Sequence, residues 1–163
     1  MQKRLMYAIE EGMYIDGWLF ADDSPSIAKQ NIEIKLAYAR KVVELFDRYL
    51  DRYVVALEAN EHLKQDDCYT LANVLRKTGK PVGLHLTSGQ YAWSAHPSID
   101  IHYHQYGFGK TPDFIERETI RIRSALGKPV IAAEYNLSSN NHAQGDAALR
   151  GGAKGTGNGR SIK

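Results

Sequence analysis

Apolar positions along this chain recur at two spacings, and the two spacings alternate. Over residues 26–50, Ile32, Leu36, Ala39, Val43, Phe46 and Leu50 stand three or four positions apart, which marks one face of a long helix. The same spacing predicts helices over residues 2–12, 66–78 and 112–126. Gly12, Gly79 and Gly127 stand where helices commonly stop. Between these lie short apolar runs of strand length: residues 14–20, 53–61, 81–86, 99–104 and 129–134. Residues 87–98 show neither period and read as a loop.

Alternating helices and strands joined by short connections give an α/β fold with parallel strands and right-handed crossovers. The runs are apolar on both faces. That pattern requires helices on one side and either a barrel interior or a second helix layer on the other. No repeat stands out beyond the alternation itself.

From Ser138 onward the pattern changes. Six of the chain's 14 glycines lie between 145 and 159, and Ser, Asn and Gln fill much of the remainder. Each interior glycine weakens a helix by roughly 1 kcal/mol. The expected organisation is therefore one domain over residues 1–137 and a Gly/Asn-rich flexible tail over 138–163.

Composition narrows the function classes only slightly. The chain has 163 residues, 43% hydrophobic and 25% charged, with a net charge of +2, so no global field calls for nucleic acid or a membrane. A single cysteine, Cys68, cannot form an internal disulfide and reads as a small core residue. No run has the length of a membrane span, and no sustained apolar stretch follows the charged start. The compartment stays open.

The chemistry lies at the ends of two apolar runs. Tyr53–Glu61 and Pro129–Glu134 both stop on a carboxylate, where parallel α/β folds place reactive groups. Glycoside hydrolysis with retention needs two carboxyl groups about 5–5.5 Å apart, one protonated and one ionised. Side chains from two strand ends can meet that distance. Glu61 and Glu134 are the expected pair, with His104 and Tyr106 ending a third run.

Here the sequence resembles a family. Asn60-Glu61 after a Val-rich strand is similar to the Asn-Glu of the fourth strand in retaining glycoside hydrolases with a (β/α)8 barrel, the cellulase and mannanase-like superfamily. His104-Gln105-Tyr106 resembles the His-x-Tyr of the sixth strand, and Pro129–Tyr135 looks like the seventh, which ends on the nucleophile. The resemblance implies that Glu61 is the acid/base and Glu134 the nucleophile. It implies further that Asn60 binds the hydroxyl beside the anomeric carbon, and that Tyr106 with His104 orients Glu134. His62 stands where relatives often carry Pro. Strands equivalent to the third through the seventh are present, so the fold class expected is an incomplete TIM-type (β/α) barrel.

Other residues carry lesser expectations. Trp93 in the loop before the sixth strand could stack on a sugar face or cap the core. His102 shares parity with His104 and is a second candidate for substrate binding, or a hydrogen-bonded core residue. His85 reads as a pocket wall or structural residue and Trp18 as core; of Asp16 and Asp22, one reaches the pocket. No convincing ligand spacing supports a metal, and no cofactor is implied. The expected partner is an oligo- or polysaccharide, with no membrane and no nucleic acid. A second chain or another copy could complete the barrel. The rival to an active glycosidase is a catalytically silent barrel piece that binds carbohydrate or supports a larger assembly.

Overall fold

The computed structural model describes residues 2–21, 26, 29–135 and 142–157. The expectation for Asp22, the connection around it and the outermost parts of the C-terminal stretch lie outside the described residues. Five parallel strands stand in the order of the chain: β1 (Asp16–Phe20), β2 (Arg52–Ala56), β3 (Val82–Leu86), β4 (Ile101–Gln105) and β5 (Val130–Glu134). Sequential order in an all-parallel sheet is the winding of a barrel, and the fold is that of an incomplete TIM barrel.

Helix α1 (Gln2–Glu10) precedes β1, and α2 (Ile32–Phe46) joins β1 to β2. A one-turn helix α3 (Ala59–His62) and α4 (Gln65–Leu75) follow β2; α5 (Pro112–Leu126) links β4 to β5. Local chemistry sets the longer helix ends. The Asn31 side chain accepts from Ile34 N at 3.0 Å to start α2. Thr111 accepts from Phe114 N ahead of Pro112 to start α5, and Gly127, at φ 62°, stops it in the left-handed region.

Odd and even strand positions face different layers. Tyr53, Val55, Val82, Leu84 and Leu86 pack outward against Leu36, Ala39, Leu71 and Leu75 of α2 and α4. Val54, Ile101, Tyr103 and Ile131 form a separate cluster on the inner side. Gly83 sits among the inner positions because a Cβ there would overlap the Tyr103 ring.

Within the stretch whose composition suggests a flexible tail, residues 142–157 pack against the rest of the fold. Residues His142–Arg150 form helix α6, whose Ala147 and Ala148 are buried with Ile115, Ala132 and Tyr135. Two of the glycines are contact points: Gly145 leaves room for the Tyr135 hydroxyl, and Gly151 lets the backbone approach Thr119 of α5. Residues 154–157 then run along β5. Lys154 N donates to Val130 O at 2.8 Å, Ala132 N to Gly155 O at 3.0 Å and Gly157 N to Ala132 O at 2.7 Å. The domain therefore extends past residue 137 to at least 157.

Candidate active site

Strand β2 ends at Ala56, five residues before Glu61. The chain leaves it through Leu57, whose amide donates to Phe20 O at 2.9 Å, and then turns sharply at Glu58. Glu58 has φ 44° and ψ 45°, the left-handed region, and is the one non-glycine residue with positive φ among those described. That conformation costs an L-residue about 1–2 kcal/mol, so surrounding bonds must hold it. Glu58 N donates to His85 Nδ1 at 2.9 Å, and Glu58 O accepts from Glu61 N at 2.9 Å.

The turn brings the Glu58 carboxylate to Gln105 at the end of β4. The pairing of β4 with β5 shifts register between His104 and Gln105, which sets Gln105 beside Glu134. The Gln105 Nε2 donates to Glu134 Oε2 at 2.8 Å and also to Glu58 Oε1. One amide nitrogen touching both carboxylates places the bonded oxygens within two hydrogen-bond lengths, about 5–6 Å. That upper limit admits the separation of about 5–5.5 Å used in retaining glycoside hydrolysis.

A cavity of about 530 Å³ opens beside Glu134, lined by Trp18, Phe20, Leu57, Tyr103 and Asp16 among others. Trp18 stands edge-on to His85 and Tyr103, with ring centroids 5.5 and 5.4 Å away, and remains 39% exposed. A partly exposed aromatic ring in the cavity that Glu134 lines is a surface on which a sugar ring can stack. Beneath it the Tyr103 hydroxyl donates to Asp16 Oδ2 at 2.6 Å, and Arg52 Nε donates to Asp16 Oδ1 at 2.6 Å. Burial, followed by the bond to Asp16, pushes the Tyr103 phenol well above its usual range, so it stays protonated.

The residues expected from sequence divide between this cavity and other places. Glu134 lies in it. Glu61 does not: it is exposed on α3 and lines a different cavity, with Lys29, Lys35, Lys64 and Asp67. The apolar run continues beyond the strand through a turn and a helix, so its last carboxylate is not at the strand end. Asn60 uses both ends of its amide on one neighbour, donating to Thr87 Oγ1 at 2.7 Å and accepting from Thr87 N at 3.0 Å. It clamps the loop after β2 to the end of β3.

His102, His104 and Tyr106 share parity and face the helix layer, opposite to the cavity. Ser94 Oγ and His102 Nδ1 are 2.8 Å apart, His102 Nε2 and His104 Nδ1 3.0 Å, and the Tyr106 hydroxyl pairs with Thr119 Oγ1 at 2.6 Å. The Tyr106 hydroxyl is thus engaged by Thr119, and Tyr106 meets Glu134 through the backbone, its N donating to Glu134 O at 2.8 Å; Gln105, one position earlier, donates to the Glu134 carboxylate. Trp93, partly buried, packs against the outer apolar cluster, away from the residues that line this cavity, and its carbonyl accepts from the Tyr69 hydroxyl at 3.2 Å.

Sequence reasoning missed three members of the site. Glu58 and Gln105 carried no motif of their own, although Gln105 stands two positions after Tyr103 and so shares its face. Trp18 read as core because its neighbours are apolar. Burial holds the nearby imidazoles neutral: His85 is lowered to about 3 and His104 to about 4, while His102 lies well below its usual value. In His85 the desolvation is reinforced by the repulsion between its charged form and that of His104. Among the described residues no group of three His, Cys, Asp or Glu side chains could hold a metal ion, and no helix is long and apolar enough to cross a membrane.

No protein-family profile matches the chain, and no curated protein matches it in sequence. Solved structures do share its fold. A provisionally assigned glycoside hydrolase from Bacteroides vulgatus superposes with a TM-score of 0.80 at 16% identity, covering 96% of this chain and 34% of its own. A glycoside hydrolase family 5 protein from the same organism gives 0.70 at 16%, covering 94% and 40%. The endo-β-1,4-mannanase of Thermotoga petrophila gives 0.65 at 13%, covering 93% and 50%. The chain thus spans between a third and a half of the length of these structures, and at such identities the likeness establishes the fold alone.

Proposed function

We propose that this chain carries the reacting half of a retaining O-glycosidase acting on an oligo- or polysaccharide, with Glu58 in place of Glu61 as acid/base and Glu134 as nucleophile. The observation behind the reading is the Gln105 amide bonded to both carboxylates. Ionised Glu134 attacks the anomeric carbon while protonated Glu58 gives its proton to the departing oxygen. Glu58 then takes a proton from the water that releases the sugar. Gln105, an uncharged donor, steadies the Glu134 carboxylate without neutralising it. Roles within the pair follow the resemblance of Pro129–Tyr135 to a strand ending on the nucleophile.

A second reading is favoured by the outer edge of β1, which pairs with no described strand. On that reading another chain or another copy completes the sheet, and the isolated chain binds carbohydrate without cleaving it. Hydrolysis of a panel of aryl glycosides and β-linked polysaccharides separates the two. Glu134→Ala and Glu58→Gln should each abolish turnover, with folding retained by circular dichroism, and Glu61→Gln should leave it intact. Turnover that survives Glu58→Gln but not Glu61→Gln would return the acid/base role to Glu61. Polysaccharide binding without any turnover would establish the second reading.

A further inference from the structure

The unexplained feature beside the site is how a glutamate keeps a left-handed backbone at the point where its carboxylate must be placed. Ladder pairing between β2 and β3 reaches Tyr53↔Val82 and Val54↔Gly83 and goes no further. Beyond it the Glu58 amide turns away from regular pairing and finds a side chain, His85 Nδ1, at 2.9 Å. We propose that His85 is a positioning residue, whose Nδ1 fixes the Glu58 turn so that the Glu58 carboxylate stays on Gln105 opposite Glu134. The inference rests on the reading of Glu58 as acid/base.

Several observations distinguish His85 from an ordinary core histidine. It follows Gly83 on the inner face and is fully buried, with the Trp18 ring packed edge-on against it. Accepting from a backbone N–H requires a bare Nδ1, which puts the ring proton on Nε2. That Nε2 is buried and has no hydrogen-bond partner among the described residues. Among the described residues the ring's one hydrogen bond is therefore the one that it accepts from Glu58 N. Burial also keeps the ring uncharged, so the acceptor remains available at neutral pH.

The test uses the full chain, labelled with nitrogen-15 and carbon-13, and three variants. In the wild type a through-hydrogen-bond nitrogen–nitrogen coupling should join the Glu58 amide to His85 Nδ1. It should vanish in His85→Leu, with a shifted Glu58 side-chain carboxyl resonance, while circular dichroism shows the fold retained. His85→Asn places an amide oxygen where Nδ1 stood and should restore the Glu58 resonance. In turnover, His85→Leu should lower kcat by about 30-fold with KM within about threefold, and His85→Asn should recover most of it.

An absent coupling in the wild type overturns the proposal, as does a folded His85→Leu with an unmoved Glu58 resonance. Glu58→Gln separates this inference from the one beneath it. If Glu58→Gln keeps full turnover, the acid/base reading fails by itself. If Glu58→Gln is silent and His85→Leu turns over normally, the positioning role alone is refuted.

Discussion

Acidification from pH 7 to pH 5 should cost this protein about 5 kcal/mol of folding stability, chiefly through three buried histidines. His85, His102 and His104 are each no more than about 1% exposed, and burial is the leading cause that lowers all three. Unfolded, their imidazoles titrate near about 6.5. Below that value the unfolded chain binds protons that the folded chain refuses, so stability is complete above about pH 6.5 and declines as pH falls. At pH 5 the gap is about 1.5 units, and at about 1.36 kcal/mol per unit each imidazole contributes about 2 kcal/mol. Three give about 5 kcal/mol once the small loss already present at pH 7 is removed. That is a large share of a typical 5–15 kcal/mol. The Glu118 carboxylate, held low first by its bond to Arg121, contributes only as pH falls through the ordinary glutamate range, near about 4.3. The two windows therefore separate. Urea unfolding at several pH values, followed by tryptophan fluorescence, measures the slope. His104→Gln should flatten it by about a third. A loss below about 1 kcal/mol between pH 7 and 5, or a slope indifferent to His104→Gln, would refute the reasoning.

Tyr106→Phe removes a hydroxyl that pairs with Thr119 Oγ1 on the helix side of the sheet, so kcat should change less than threefold. Stability should fall by about 1 kcal/mol, measured by the same urea curves. Lys128→Met should cost more, about 2–3 kcal/mol. The ammonium donates to Ser94 O and His96 O at 2.8 Å and Ile99 O at 2.7 Å, and its loss leaves the loop into β4 without its clasp.

The order of helices and strands was legible because both periods are strong, and α5 was read at its observed limits. The site was less legible, for two physical reasons. A strand covered on both faces loses the alternation that reports which side is which, so His104 and Tyr106 could not be told from Tyr103 and Gln105 without the inner and outer layers in view. An apolar run also does not say where extended backbone stops. The turn at Glu58 carries no glycine to announce it, and the run reads straight through to Glu61. The C-terminal stretch misled in the opposite way. Glycines at 145 and 151 look like freedom in a sequence, yet in the fold they are where Tyr135 and Thr119 press against the chain.

The sheet is continuous, but the apolar packing on its outer side is not. One cluster joins β2 and β3 to α2 and α4; the other joins Tyr106 and β5 to α5 and α6. Between them β4 turns outward His102 and His104, bonded to each other and to Ser94. The molecule thus has a polar hinge line where a uniform core would have oil. Its two outer apolar clusters are joined through the backbone ladders of β4 and the buried imidazole pair. Charging that pair would set desolvated charge on the seam between the clusters, where neither offers a counter-charge in the pair itself.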